Sequence, residues 1–255
     1  MEVDNYNAIP MPGCAEIQPA FSYVIECVVS KLTFCFPGLI HSLYVYGSVA
    51  EGRAEEGKSD LDMTIIFIHK LAQTTAKQLA TVQADLEKNH PVISKIDFDC
   101  GFLDEALDPD NLLSWGYWLK HHCRCVYGED LGLLFQTFKP SKAIAVAVNG
   151  DFEQVLNRLI TQMKMTSGEI KKRQLLCSAA RKVVRSTHIL RNEQDYDWPR
   201  SLHEHCTWFI ARYPSLAKDM DDLMAISTGT QGNLDDYEKL LITFASWLKA
   251  EFHSH

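Results

Sequence analysis

Residues 43–67 read Leu43-Tyr-Val-Tyr-Gly-Ser-Val-Ala-Glu-Gly-Arg-Ala-Glu-Glu-Gly-Lys-Ser-Asp-Leu-Asp-Met-Thr-Ile-Ile-Phe67. An apolar, aromatic run ends at Gly47-Ser48. A short polar excursion follows, and a second apolar run opens with Asp60 and Asp62. Both runs have the composition of β-strands. Strand side chains alternate between faces, so Asp60 and Asp62 point one way. Leu61, Met63, Ile65 and Phe67 point the other way, toward the expected core. Two carboxylates held side by side repel unless a cation stands between them, and hard oxygen ligands suit Mg²⁺. The Gly47-Ser48 turn can offer backbone N–H groups to a phosphate. These are the parts of a site for metal-dependent phosphoryl or nucleotidyl transfer.

Residues 52–59, Gly-Arg-Ala-Glu-Glu-Gly-Lys-Ser, formally match the P-loop pattern G-x4-G-K-[ST]. A working P-loop opens a helix whose N-terminus holds the anion. Here a strand pattern follows instead, and Glu55 and Glu56 would place negative charge inside the phosphate cradle. The match is therefore set aside.

Outward from this stretch, apolar residues at helical spacing (Ile17, Phe21, Val24, Ile25, Val28, Val29, Leu32) predict a helix over 17–36, stopped by Pro37-Gly38. Residues 40–46 form a first strand, 48–51 a helical turn, and 61–68 a second strand. A helix is expected over 71–89, a third strand over 93–98, a helix over 109–122 and an edge strand over 124–127. Beyond Lys139-Pro140 the patterns are helical, at 141–165, 168–192, 201–213, 215–226 and 233–252, apart from an ambiguous apolar run at 143–148. Ser141 and Thr166 are the expected N-caps. The fold class is α+β, with a small mixed-sheet domain over 1–139 followed by a helical bundle domain over 140–255.

The chain has 255 residues, 46% of them apolar and 23% charged, which suits a packed core rather than a disordered chain. Its net charge of −8 weighs against a constitutive nucleic-acid binder. No apolar run reaches eighteen residues, so no membrane span is expected. The Met1-Glu-Val-Asp-Asn-Tyr start lacks the basic and apolar regions of a signal peptide. Eight cysteines without framework spacing then suggest reduced thiols and a cytoplasmic protein.

The Gly47-Ser48 turn, eleven residues, and then Asp60-x-Asp62 opening a strand resemble the signature of the DNA polymerase beta-like nucleotidyltransferase superfamily. The resemblance implies a third carboxylate on a later, neighbouring strand. Asp97 in Lys95-Ile-Asp-Phe98 fits that place, with Asp99 on the same face as the alternative. A small domain of this kind followed by a helical one looks like the bacterial aminoglycoside (streptomycin/spectinomycin) adenylyltransferases. Tyr127-Gly-Glu-Asp-Leu131 is similar to a segment near their domain junction, and Ala180-Arg181 and Pro199-Arg200 could match their triphosphate-contacting basic pair. The resemblance implies transfer of AMP from ATP to a hydroxyl of a small acceptor, in an antibiotic-resistance setting, with pyrophosphate released. Asp60, Asp62 and Asp97 would hold two Mg²⁺ ions, with Asp97 as general base. Gly47, Ser48 and Ser59 are candidate nucleotide contacts. Arg181, Arg185 and Arg200 would neutralise the triphosphate from the helical side, closing a cleft.

Two other readings stay open, namely adenylylation of a protein or RNA, and a non-catalytic nucleotide-binding module. The His121-His122-Cys123-x-Cys125 cluster lacks the paired spacing of a zinc site and is read as a helix end running into a strand. Lys171, Lys172 and Arg173 are read as a solvated helix face, and His253 and His255 as tail.

Overall fold

The computed structural model describes residues 8–13 and 15–254. The leader reading of residues 1–6 and the tail reading of His255 lie outside them. The chain divides into two compact units, Met1–Lys139 and Pro140–His255.

The first unit is built on a four-stranded mixed sheet of order β3-β2-β1-β4. Its strands are β1 (Ile40–Tyr46), β2 (Leu61–Phe67), β3 (Ile96–Phe102) and β4 (Arg124–Gly128). β1 is antiparallel to β2 and β4, while β2 and β3 run parallel. The parallel pair needs a crossover, which α3 (Gln73–Asn89) provides. Leu61, Met63, Ile65 and Phe67 of β2 face the main core, as their spacing predicts, against Phe21, Val24, Val28 and Leu32 of α1 (Pro19–Cys35) and Leu79, Val82 and Leu86 of α3.

The opposite face of β2 is buried too. Ile66, with Tyr44 of β1, packs against Ala106, Leu119, Cys123 and Leu131. The second cover comes from α4 (Leu103–Leu107), α5 (Tyr117–His121) and the segment between them. β2 is thus a central strand sealed on both faces except at its start, where Asp62 stands.

Several boundaries differ from the sequence expectation. The third strand begins at Ile96, not at 93, because His90–Ile93 closes a hydrogen-bonded turn first. The helix expected over 109–122 is a 3₁₀ turn (Pro109–Asn111), a π-helical turn (Leu112–Gly116) and then α5. Trp115 in that π turn lies against Gly101 of β3, where any side chain would collide with its ring.

The second unit is helical: α6 (Lys142–Asn149), α7 (Phe152–Met165), α8 (Glu169–Ser186), α9 (Leu202–Arg212), α10 (Ala217–Ser227) and α11 (Leu234–Ser254). The small residues Ala179 and Ala180, with Val183 and Val184, let α8 run through the middle of the apolar core. The single helix expected over 141–165 breaks at Gly150-Asp151, a pair of poor helix formers. α8 stops at Ser186 rather than 192. There the Ser186 hydroxyl donates to Lys182 O at 2.7 Å and the Thr187 hydroxyl to Val184 O at 2.7 Å, and a 3₁₀ turn (Thr187–Leu190) follows. Ser141 caps α6 as expected, accepting from Ile144 N at 3.2 Å. Thr166 does not cap α8. Its hydroxyl donates back to Gln162 O at 2.8 Å and closes α7. His253 belongs to α11, not to a tail, and its Nδ1 bonds Lys249 O at 2.7 Å. Among the described residues no helix is long and apolar enough to cross a membrane. Cys27, Cys35, Cys100, Cys123, Cys125, Cys177 and Cys206 are free thiols.

Candidate active site

Strand register brings the acids together. Asp62, the second residue of β2, pairs with Tyr46 on one side and with Asp97 of β3 on the other. Asp60 lies just before β2 and accepts a short hydrogen bond from the Ser94 hydroxyl. Asp99 pairs with Thr64, one step further into the sheet, and accepts from the Tyr46 hydroxyl at 2.5 Å. Asp97 is therefore the strand neighbour of Asp62, and Asp99 is engaged by tyrosine.

The segments leading into β2 and β3 are stitched to each other. Gly57 N donates to Val92 O at 2.7 Å, Ser94 N to Ser59 O at 3.0 Å, and Leu61 N to Lys95 O at 2.9 Å. Ser59 is consumed by this turn, since its hydroxyl accepts from Glu55 N at 2.9 Å.

Gly47 follows β1 with a φ of +69° and opens the short helix α2 (Gly47–Ala50). Arg124 of β4 donates to Ala50 O and Ala15 O, both at 2.7 Å, which fixes the end of α2. The Ser48 hydroxyl has no hydrogen-bond partner among the described residues.

Lys95, two residues before Asp97 and on the same face, is the group that the sequence analysis missed. Period-two alternation was the available signal. Its ammonium makes a close ion pair with Asp97 and stands 3.4 Å from an Asp60 oxygen. Burial works against the Lys95 charge, but the hydrogen bond it donates to Asp97 and the pull of Asp97 and Asp60 outweigh it and raise its pKa. Asp62 has no ion pair or hydrogen bond to its carboxylate among the described residues. Burial, then repulsion from Asp97 and Asp60, pushes its pKa up to about 7 against the opposing influence of Lys95. The Tyr46 hydroxyl is raised as well, first by burial and then by Asp99 and Asp62. Tyr46 packs edge-on against Trp118 at 4.8 Å, and Trp118 Nε1 donates to Thr64 at 3.0 Å. The acids thus stand on an aromatic floor.

Among the described residues no three His, Cys, Asp or Glu side chains form a ready-made metal cluster. The donor set nevertheless suits a hard divalent cation. It offers oxygens only, and its central carboxylate is strained by uncompensated negative charge. His121, in the metal-like string, is structural. Phe138 N donates to its Nε2 at 3.0 Å, so Nδ1 carries the proton toward Pro10 O at 3.1 Å.

The candidate arginines lie in the second unit. Arg181 and Arg185 are exposed on α8, and Arg181 Nε donates to Ser227 O at 3.0 Å. Arg200 is exposed just before α9. The loop carrying it is organised by buried Arg191, which donates to the carbonyls of Asp195 and Asp197, the latter at 3.2 Å. Its guanidinium stacks over Trp198 at 5.3 Å. Arg212 adds a 2.5 Å bond to Asp195.

No protein-family profile matches the sequence, and no curated protein matches it. Among solved structures the chain is similar to spectinomycin adenyltransferase AAD(9) from Enterococcus faecialis, crystallised with ATP and spectinomycin. The TM-score is 0.58 and the identity 13%, over 91% of this chain and 99% of that one. The fold is nucleotidyltransferase-like. The mixed sheet and the helical C-terminal region both take part in this likeness, because the match spans nearly the whole of both chains.

Proposed function

We propose that the chain is a nucleotidyltransferase that moves AMP from ATP to a hydroxyl of a small molecule and releases pyrophosphate. One observation carries the reading: register places Asp97 beside Asp62, with Asp60 and the Gly47-Ser48 turn at the same end of the sheet. The fold shared with an adenyltransferase solved with ATP supports it.

In the reaction the acceptor oxygen bonds to the α-phosphorus, the bond from that phosphorus to the bridging oxygen breaks, and pyrophosphate departs with the electron pair. Asp97 receives the hydroxyl proton as general base. The Gly47-Ser48 backbone and the Ser48 hydroxyl hold phosphate oxygens, using the N–H groups that a first helical turn leaves open. Asp60, Asp62 and Asp97 would hold a divalent cation pair such as Mg²⁺, whose chemistry when bound is to offset triphosphate charge and acidify the acceptor. Arg181, Arg185 and Arg200 are proposed as further triphosphate contacts. Ser59 drops from first rank because its hydroxyl serves the turn.

The test is label transfer from α-labelled ATP with Mg²⁺, offering spectinomycin and streptomycin first. Label on the drug with stoichiometric pyrophosphate supports the reading. Label on protein or RNA would move the acceptor class. No pyrophosphate with any acceptor would overturn the enzymatic reading.

A further inference from the structure

The side chain that touches the acids is a cation belonging to the chain itself. Lys95 contacts one oxygen each of Asp60 and Asp97, from the two sides of the β2–β3 pair. A divalent ion held by those carboxylates would stand within a few ångströms of the same oxygens. Ammonium and metal compete for that place, since like charges within a few ångströms repel.

We infer that Lys95 is an internal counter-cation of the metal-free site, displaced from Asp60 and Asp97 when a divalent ion binds. The inference rests on the metal reading given under Proposed function.

Three features of the structure support displacement over a fixed bridge. The Lys95 side chain is 43% exposed, so its four-carbon stem has solvent to swing into. It lies just ahead of β3, which begins at Ile96, so its rotamer is not locked between strands. Its backbone is nonetheless fixed, because Lys95 O accepts from Leu61 N at 2.9 Å; the side chain can move while the acids stay in place. Lys95 also leaves Asp62 without a partner of its own. A monovalent point charge bridging the two outer acids does not satisfy the central one, and a divalent ion would serve all three. The lysine therefore holds the carboxylates together against their repulsion without filling the site as a metal would.

The test measures Mn²⁺ binding to the metal-free 255-residue chain without nucleotide, by the EPR signal of free Mn²⁺ and by calorimetry. Wild type is compared with Lys95→Met and Lys95→Gln, each checked for folding by its far-UV spectrum and thermal melt. Loss of two partly exposed ion pairs that compete with the metal is expected to tighten Mn²⁺ binding by roughly three- to tenfold. The Mn²⁺-induced rise in melting temperature is expected to be larger in both variants than in wild type. Unchanged or weaker Mn²⁺ affinity in the folded variants would overturn the inference. Asp62→Asn separates the two levels. If it abolishes Mn²⁺ binding while Lys95→Met changes nothing, the metal site stands and the counter-cation role fails. If wild type and Lys95→Met bind no Mn²⁺, or if Asp62→Asn leaves binding intact, the metal reading falls and takes the inference with it.

Discussion

The Oδ2 atom of Asp62 occupies the place where a side chain on Gly47 would begin, so the turn and the central acid fit each other at that position only when residue 47 has none. Gly47 also sits at φ +69°, where any other residue costs about 1–2 kcal/mol. Gly47→Ala is expected to lose that backbone amount and more, because Asp62 must move. In an Asp62→Ala background the cost should fall to the backbone share, giving a coupling of roughly 0.5–3 kcal/mol in urea unfolding. Equal costs in both backgrounds would show that Asp62 is not what demands the glycine.

The strained charge of Asp62 should appear as a stability profile. Its folded pKa of about 7 lies above the unfolded carboxylate value of about 4. The unfolded chain therefore ionises first as pH rises. Folded stability falls between about pH 4 and 7, and the full penalty remains above pH 7. Asp62→Asn should remove this slope and make the metal-free protein more stable than wild type at pH 8. Urea unfolding at pH 5 and pH 8 in the presence of a chelator checks it. Parallel profiles for the two proteins would sink the assignment.

Asp97 and Asp99 should separate cleanly. Asp97 sits beside Asp62, whereas Asp99 accepts from Tyr46. Asp97→Asn is expected to lower kcat for pyrophosphate release by about 10²–10⁴-fold, the usual range for a general base. Asp99→Asn should keep most turnover. The reverse ranking would reassign the third acid.

The second unit should be acid-labile for a different reason. Burial, with help from neighbouring cationic groups, pushes His188 down to about 2 and His205 down to about 3. Both stay neutral when folded, yet they protonate near pH 6.5 when unfolded. The stability they allow is complete above about pH 6.5 and is lost as pH falls toward 3. The His188→Gln, His205→Gln double variant should take up about two fewer protons on acid unfolding. Trp198, whose ring centroid lies 4.6 Å from that of His188, offers a fluorescence probe. Unchanged proton uptake would contradict the neutral pair.

Period-two alternation and the Gly47-Ser48 break made the sheet legible. The apolar alternates Leu61, Met63, Ile65 and Phe67 do face the main core. The same rule could not show that Ile66 is covered as well, because that cover arrives from Leu119 and Leu131, far along the chain. Helix existence was readable in the second unit, but helix ends were not. The stops at Gly150 and Ser186 depend on local breakers and hydroxyl back-bonds that an apolar stripe runs straight through. For the site, spacing nominated Asp60 and Asp62, the family resemblance implied a third acid at Asp97 or Asp99, and register then put Asp97 beside Asp62. Lys95 escaped notice because a lysine near acids looks like any surface charge until its reach to both Asp60 and Asp97 is known.

The three backbone bonds that join the run-ins of β2 and β3 make residues 57–61 and 92–95 a single hem. Asp60 lies within this hem and Asp97 directly follows it, although they are 37 positions apart in sequence. A change confined to residues 69–72, the stretch between β2 and α3, should leave the spacing of the carboxylates untouched, so that stretch is the place to graft or trim this protein.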